Sequence, residues 1–388
     1  MEGMRMVTDP KRLVIDLVRT KLSQNSATIG PMNLELADIL SETWKNSPDW
    51  HCLDWSMDTI TLVSRVAAVI FVGKDLARNP DWQNLTITYT LNVFGAVTAL
   101  YRWPRFMRGM ISHFLTESRT CIAQVNKVRT LVTTIIEQRS LDDLEAAHQD
   151  DAASRHEDCI AWLSDLGKHE KFDMGAAQLA LAISALHTTS EALRTVLLDL
   201  CKNPDLIDPI RREIKSCLND GVNLAALSKM ELLDSVMKES QRFQSASVGI
   251  ERKVMKDTTL PNGVKLPQGS NIAIDASEMW SAEVHDNPHQ FDGYRFWRMR
   301  QAGKLAACSF VSSTREHNTF GAGRAICPGR FFVANEIKLI LAHVLWKYDI
   351  RLKAGYSPKL VRSGFYAMSD LQAQVEVPRR IVNDDLLL

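Results

Sequence analysis

Apolar residues spaced three and four apart dominate residues 31 to 140 and predict helices over Met57–Phe71, Leu85–Leu100 and Thr130–Ile136. The pattern lapses at Asp142–Asp158, a stretch rich in Asp, Glu, Ala and His that reads as a solvated connector or a frayed helix end. It then resumes in its longest form. Asp173 is placed to cap a helix that runs from Ala176 to Cys201 without Gly or Pro and stops at Asn203-Pro204. Asp208-Pro209 predicts the cap and first-turn proline of another helix, which ends at the turn Asn219-Asp220-Gly221. Met230–Phe243 is a further helix. From Val248 to Ile274 short alternating segments are broken by Pro261-Asn262-Gly263 and Pro267-Gln268-Gly269, which predicts β-hairpins. An apolar helical run follows at Phe331–Tyr348, and Val361–Val377 again reads as strands and turns. The pattern is that of a mainly α chain with a small β-rich side.

Composition narrows the function classes. The 388 residues suffice for one large helical domain or two smaller ones. With 46 basic and 46 acidic residues, the charge gives no reason to expect nucleic acid or a strongly anionic surface as a partner. The seven cysteines, at 52, 121, 159, 201, 217, 308 and 327, form no C-x-x-C pair and no zinc spacing, which suggests a reducing compartment. The best apolar stretch, Val66–Gly73 after Arg65, falls short of the roughly 18–20 residues that span a bilayer. Met1–Lys11 lacks the order of a signal peptide. There is no complete dinucleotide fingerprint, hydrolase elbow or metalloprotease histidine pair.

The chemistry concentrates in Phe320-Gly321-Ala322-Gly323-Arg324-Ala325-Ile326-Cys327-Pro328-Gly329-Arg330. Glycines permit sharp turns and close approach to a flat group. Cys327 is delivered to the start of a helix, with Pro328 suited to the first helical position. Free amides and the helix dipole there favour thiolate over thiol. A thiolate held by a rigid loop is what axial ligation of haem iron requires, and the haem-Cys thiolate of the cytochromes P450 is the known case.

Phe320–Gly329 resembles the haem-binding signature of the cytochrome P450 family, F-x-x-G-x-x-x-C-x-G, which fixes Phe320, Gly323, Cys327 and Gly329. Glu239 and Arg242, three apart on one helix face, resemble the family's E-x-x-R, and Phe291-Asp292-Gly293-Tyr294-Arg295-Phe296 resembles the segment supplying a second arginine. By this resemblance Glu239, Arg242 and Arg295 form a buried structural charge cluster. Ser184-Ala185-Leu186-His187-Thr188-Thr189 resembles the oxygen-handling segment, with small Ala185 leaving room for dioxygen and the Thr188 hydroxyl holding a water and passing protons. His187 stands where the family usually has an acid, and it can still relay protons near neutral pH. The other reading of Thr188 is a hydroxyl bonded back to a helix carbonyl. Arg252, ten residues after Arg242, matches a haem-propionate ligand. Ala325 stands where a second is usual, with Arg324 beside it, and Arg19 matches a third, its other reading being a surface basic residue. By the same resemblance Ser245 and Val248 would line the substrate pocket beside the haem, Val248 reading equally as ordinary strand core.

The resemblance implies one domain over residues 1–388 with the P450 fold, lacking the family's N-terminal anchor and first elements. It implies haem b, O2, an NADPH-cytochrome P450 reductase and a small apolar substrate. Similarity to fungal enzymes of the gibberellin and indole-diterpene type points to a bulky terpenoid or prenylated indole. The family's usual place is the endoplasmic reticulum membrane, to which the full-length form would attach, while this chain shows no transmembrane segment. Two alternatives remain open at this level: a catalytically silent haem-binding remnant, and a haem-thiolate isomerase or peroxide-using enzyme.

Overall fold

The structure is a computed structural model that describes residues 6, 12–23, 25–148, 156–168, 172–244, 248–363 and 366–387; at 143–148, 248–250, 363, 366 and 385 it describes the backbone alone. Its axis is the 29-residue helix Met174–Lys202, about 44 Å long at 1.5 Å per residue. Asp173 caps it, accepting a hydrogen bond from Ala176 N at 2.9 Å. Helices Trp55–Val72, Pro80–Tyr101, Thr116–His148 and Glu231–Phe243 pack around this central helix. Helix Arg330–Lys347, which follows the cysteine loop, packs against it and against helix Ile29–Thr43.

Local sequence explains most boundaries. Asp54 and Asn79 cap the helices Trp55–Val72 and Pro80–Tyr101, and Pro80 occupies a first-turn position where no amide is needed. Three expectations are corrected. The helix predicted from Asp208 begins at Ile207, directly after a 3-10 turn at Pro204–Leu206, so Asp208 lies within its first turn. Pro328 sits in the turn before helix Arg330–Lys347, with Gly329 in the cap position. Helix Trp55–Val72 is long and apolar enough to cross a membrane, which the break assumed at Arg65 had hidden. Yet it is largely buried in the protein core, and Arg65 is neutralised there by Glu35 and Glu42.

The β-rich side is three two-stranded ribbons and one small sheet among the described residues. Val248–Lys253 pairs antiparallel with Asn271–Asp275, placing Arg252 opposite Ile272. The hairpin Thr258–Thr259/Lys265–Leu266 lies between them in sequence, and Val361–Ser363 pairs with Tyr366–Met368. The sheet was not foreseen: His51–Cys52 and Arg351–Leu352 both pair with Val375–Val377. Strands of two residues carry too little alternation to be read from sequence.

Candidate active site

The cysteine loop is closed by a hydrogen bond from Cys327 N to the Phe320 carbonyl at 2.8 Å. The Phe320 ring stands edge-on to Phe310 with 5.3 Å between centroids. Gly321 has φ +78°, and a Cβ there would lie 3.1 Å from the Ala325 carbonyl oxygen, so any side chain would meet both strain and crowding. Gly323, at φ +58°, makes the second left-handed turn. Ser313 Oγ donates to the Gly321 carbonyl at 2.5 Å. On the far side, Ser23 Oγ donates to the Pro328 carbonyl at 2.9 Å, so the first described helical segment braces the loop. Burial pushes the Cys327 thiol up, whereas the Gly329 and Arg330 amides and the Arg330 guanidinium pull it down. Burial wins in the protein alone. Desolvation in the packed loop outweighs the amide and dipole donors that predict thiolate from the sequence.

The central helix is buried along most of its length, but Ser184 and Thr188, one turn apart, are exposed. Ala185 lies between them at 9% exposure. An exposed polar stripe in the middle of a core helix marks open space beside it. Thr188 Oγ1 donates back to the Ser184 carbonyl at 2.9 Å, leaving its lone pairs free to accept. His187 points elsewhere: its Nε2 lies 3.2 Å from the carbonyl oxygen of Ile87, on helix Pro80–Tyr101. A carbonyl only accepts, so Nε2 carries the proton and Nδ1 is the free acceptor. Burial lowers the His187 pKa, with Arg194 adding to the effect and the Ile87 bond opposing it. At neutral pH the ring is therefore uncharged. One turn beyond Thr188, Glu191 accepts from Ser369 Oγ at 2.9 Å and from Ser369 N, tying the last hairpin region to this helix. Arg194 holds Glu191 at 3.3 Å and donates to Thr59 Oγ1.

Glu239, Arg242 and Arg295 come together as one buried cluster, exposed by 0, 0 and 6%. Arg242 grips Glu239 through Nε and Nη2 at 2.8 and 2.7 Å, and Arg295 Nε donates to the same carboxylate at 3.0 Å. The remaining guanidinium hydrogens go to carbonyls: Met279 and Pro288 from Arg242, and Asp286, Asn287 and Gln290 from Arg295. Two neighbours escaped the sequence reading. Asp234 accepts from Phe310 N and pairs with Lys338, and buried Lys238 donates to the Ser309 and Ser312 carbonyls. Burial lowers the Lys238 amine to about 8. Together these side chains fix residues 309–312, the approach to the cysteine loop. Their signal was faint: charged residues on the buried face of helix Glu231–Phe243.

The cations are placed less tightly. Arg252 is exposed, and its Nη1 donates to the Glu251 carbonyl at 2.7 Å. Arg324 and Arg19 are exposed too. Ser245 lies outside the described residues. Val248 is described by its backbone, paired with Asp275.

This arrangement has counterparts. The family profile Cytochrome P450 matches residues 10–376. Cytochrome P450 monooxygenase pyr3 of Aspergillus fumigatus is 37% identical over 98% of this chain and 73% of its own length. Cytochrome P450 monooxygenase adrA of Penicillium rubens is 36% identical over 96% of this chain and 74% of its own. Cytochrome P450 monooxygenase 1 of Gibberella fujikuroi is 33% identical over 98% and 87%. Among solved structures, the cytochrome P450DA heme domain superposes with a TM-score of 0.71, covering 97% of this chain and 82% of that one at 15% identity, which speaks to fold alone. A cysteine loop, a buried Glu-Arg-Arg cluster and these matches lead to one conclusion: the chain belongs to the cytochrome P450 family, alongside fungal monooxygenases of secondary metabolism.

Proposed function

We propose that this monooxygenase uses haem b, which the Cys327 thiolate would hold, and oxidises a bulky apolar secondary metabolite. The carrying observation is the exposed pair Ser184 and Thr188 on a mostly buried helix, in a protein whose closed cysteine loop ends in a sulfur-directed pair of amides. The residues fit the group by donor chemistry. Cys327 offers a soft sulfur already met by two backbone donors, and Arg252 and Arg324 are exposed cations suited to propionate carboxylates. Phe320, packed on Phe310, and Gly323, at positive φ, would shape the loop that holds the group. When bound, haem supplies oxygen activation.

The chain's own residues then have defined tasks. Ala185 keeps its side of the open space shallow. Thr188 Oγ1, its proton committed to the Ser184 carbonyl, accepts a hydrogen bond from a water and so holds a proton donor in place. His187 has only Nδ1 left to take up a proton and none to release at neutral pH, so its Nε2–H bond chiefly holds the central helix to Ile87. Electrons come from a separate NADPH-dependent reductase, as the family's use of O2 and a redox partner implies. A terpenoid or prenylated indole as substrate is supported by the His187-Thr188-Thr189 sequence, which resembles fungal enzymes of that chemistry. The test is reconstitution with NADPH, reductase and labelled O2. Thr188→Ala is expected to lower product formation about 10²-fold while NADPH consumption continues. Equal product yields from both proteins, or turnover with peroxide alone, would sink this reading in favour of a peroxide-using enzyme.

We also propose attachment to the endoplasmic reticulum membrane. No acidic residue lies between Asp81 and Glu117, while Arg102, Arg105, Arg108 and His113 do. Tyr101, Phe106, Met110 and Phe114 on this segment are 67, 87, 58 and 76% exposed. Apolar rings interleaved with cations suit an anionic lipid surface. Flotation with phosphatidylserine vesicles is expected to carry the protein up, and Phe106→Ser with Phe114→Ser to weaken binding roughly tenfold or more. Unchanged flotation of the double variant would refute attachment by this face.

A further inference from the structure

A cavity of about 430 Å³ lies between helices Pro80–Tyr101 and Thr116–His148 and the segment joining them. None of Ala185, His187, Thr188 or Cys327 lines it. Its size is within the roughly 300–1,000 Å³ of small-molecule sites. One side is apolar: Tyr89, Leu100, Cys121, Ile122 and Val125. The other carries Arg108, Arg129, Ser112 and Ser118.

The polar side is unevenly satisfied. Arg129 is already bound by Asp173 and Asn126. Ser112 Oγ donates to the Gly109 carbonyl at 2.7 Å. Arg108 donates Nε to the Trp103 carbonyl and stacks 4.6 Å over the Tyr101 ring, but has no carboxylate partner among the described residues. Ser118 is 8% exposed, and its buried Oγ has no hydrogen-bond partner among the described residues. A buried hydroxyl left in that state is costly, and Ser118 is one of the residues that line the cavity. A half-buried guanidinium without a counter-ion and a buried unpaired hydroxyl, facing an apolar wall, select a ligand with one anionic head and an apolar body.

We propose that this cavity is a second ligand site, separate from the haem, that binds a long-chain carboxylate, its head held by Arg108 and Ser118 and its chain against Leu100, Cys121 and Val125. The proposal stands apart from the haem assignment. Missing haem would defeat that assignment, and missing carboxylate binding would defeat this one.

The test is calorimetric titration of the holoenzyme with oleate, with the haem Soret band followed in parallel. Saturable one-site binding without a Soret shift is expected. Arg108→Gln should weaken it about tenfold or more, and oleyl alcohol should bind the unaltered protein weaker by a similar factor, because a charge-assisted bond is lost in each case. Ser118→Ala, which leaves the charge in place, should give a smaller loss in the same direction. Binding that shifts the Soret band in step with the heat would place oleate at the haem and overturn the proposal. So would no saturable heat, or equal affinity in Arg108→Gln.

Discussion

Cys327→Ala protein is expected to lose the red-shifted Soret band of the reduced, carbon monoxide-bound state and to show oxygenation no higher than background. The physical reason is local. Cys327 is the one thiol placed on a closed loop with the Gly329 and Arg330 amides directed at its sulfur, and alanine offers the iron no ligand there. Two buried thiols are the controls. Cys308 donates to the Lys304 carbonyl at 2.7 Å, and Cys121 is packed at 3% exposure between helices. Their alanine variants should keep the band. A Cys327→Ala protein with an unchanged band would move the ligand elsewhere and remove the basis for the haem assignment.

The second large effect is expected on folding. Glu239→Ala leaves two buried guanidinium groups without their carboxylate, and loss of one partner of a buried pair costs about 3–5 kcal/mol. That is a large part of the roughly 5–15 kcal/mol by which a domain is stable. The variant should therefore accumulate as aggregate or as haem-free protein. Arg242→Ala should behave alike, since it also strands the carbonyls of Met279 and Pro288. The exposed pair Arg315–Glu278, with the arginine 83% exposed, is the contrast: Arg315→Ala should change stability by less than about 1 kcal/mol. Soluble, haem-loaded Glu239→Ala protein at normal yield would show that the cluster does not hold the cysteine loop's approach.

How much of this was legible depends on how local each device is. The helix from Asp173 was readable because its cap, its uninterrupted run and its Asn203-Pro204 stop are all contiguous. Glu239 and Arg242 were readable because three residues on a helix fix their neighbourhood, and the cysteine loop because its glycines and its sulfur share one short segment. What escaped was set by distant partners. The Nε2 of His187 is committed to a carbonyl 100 residues earlier in the chain. Lys238 finds its acceptors 71 and 74 residues away. The burial of Cys327, which reverses the expected push on its thiol, is a property of the packed protein and not of the loop sequence. The cavity beneath Arg108 likewise exists only once two helices meet.

The pairing of His51–Cys52 with Val375–Val377, together with the bond from Asn33 Nδ2 to the Leu387 carbonyl at 2.7 Å, joins the opening helices to the last residues of the chain. Such joints are of high sequence separation and form late. During synthesis the opening helices emerge long before these partners do. A fusion or deletion near residues 375–387 therefore acts on segments as far as 354 positions earlier in the sequence.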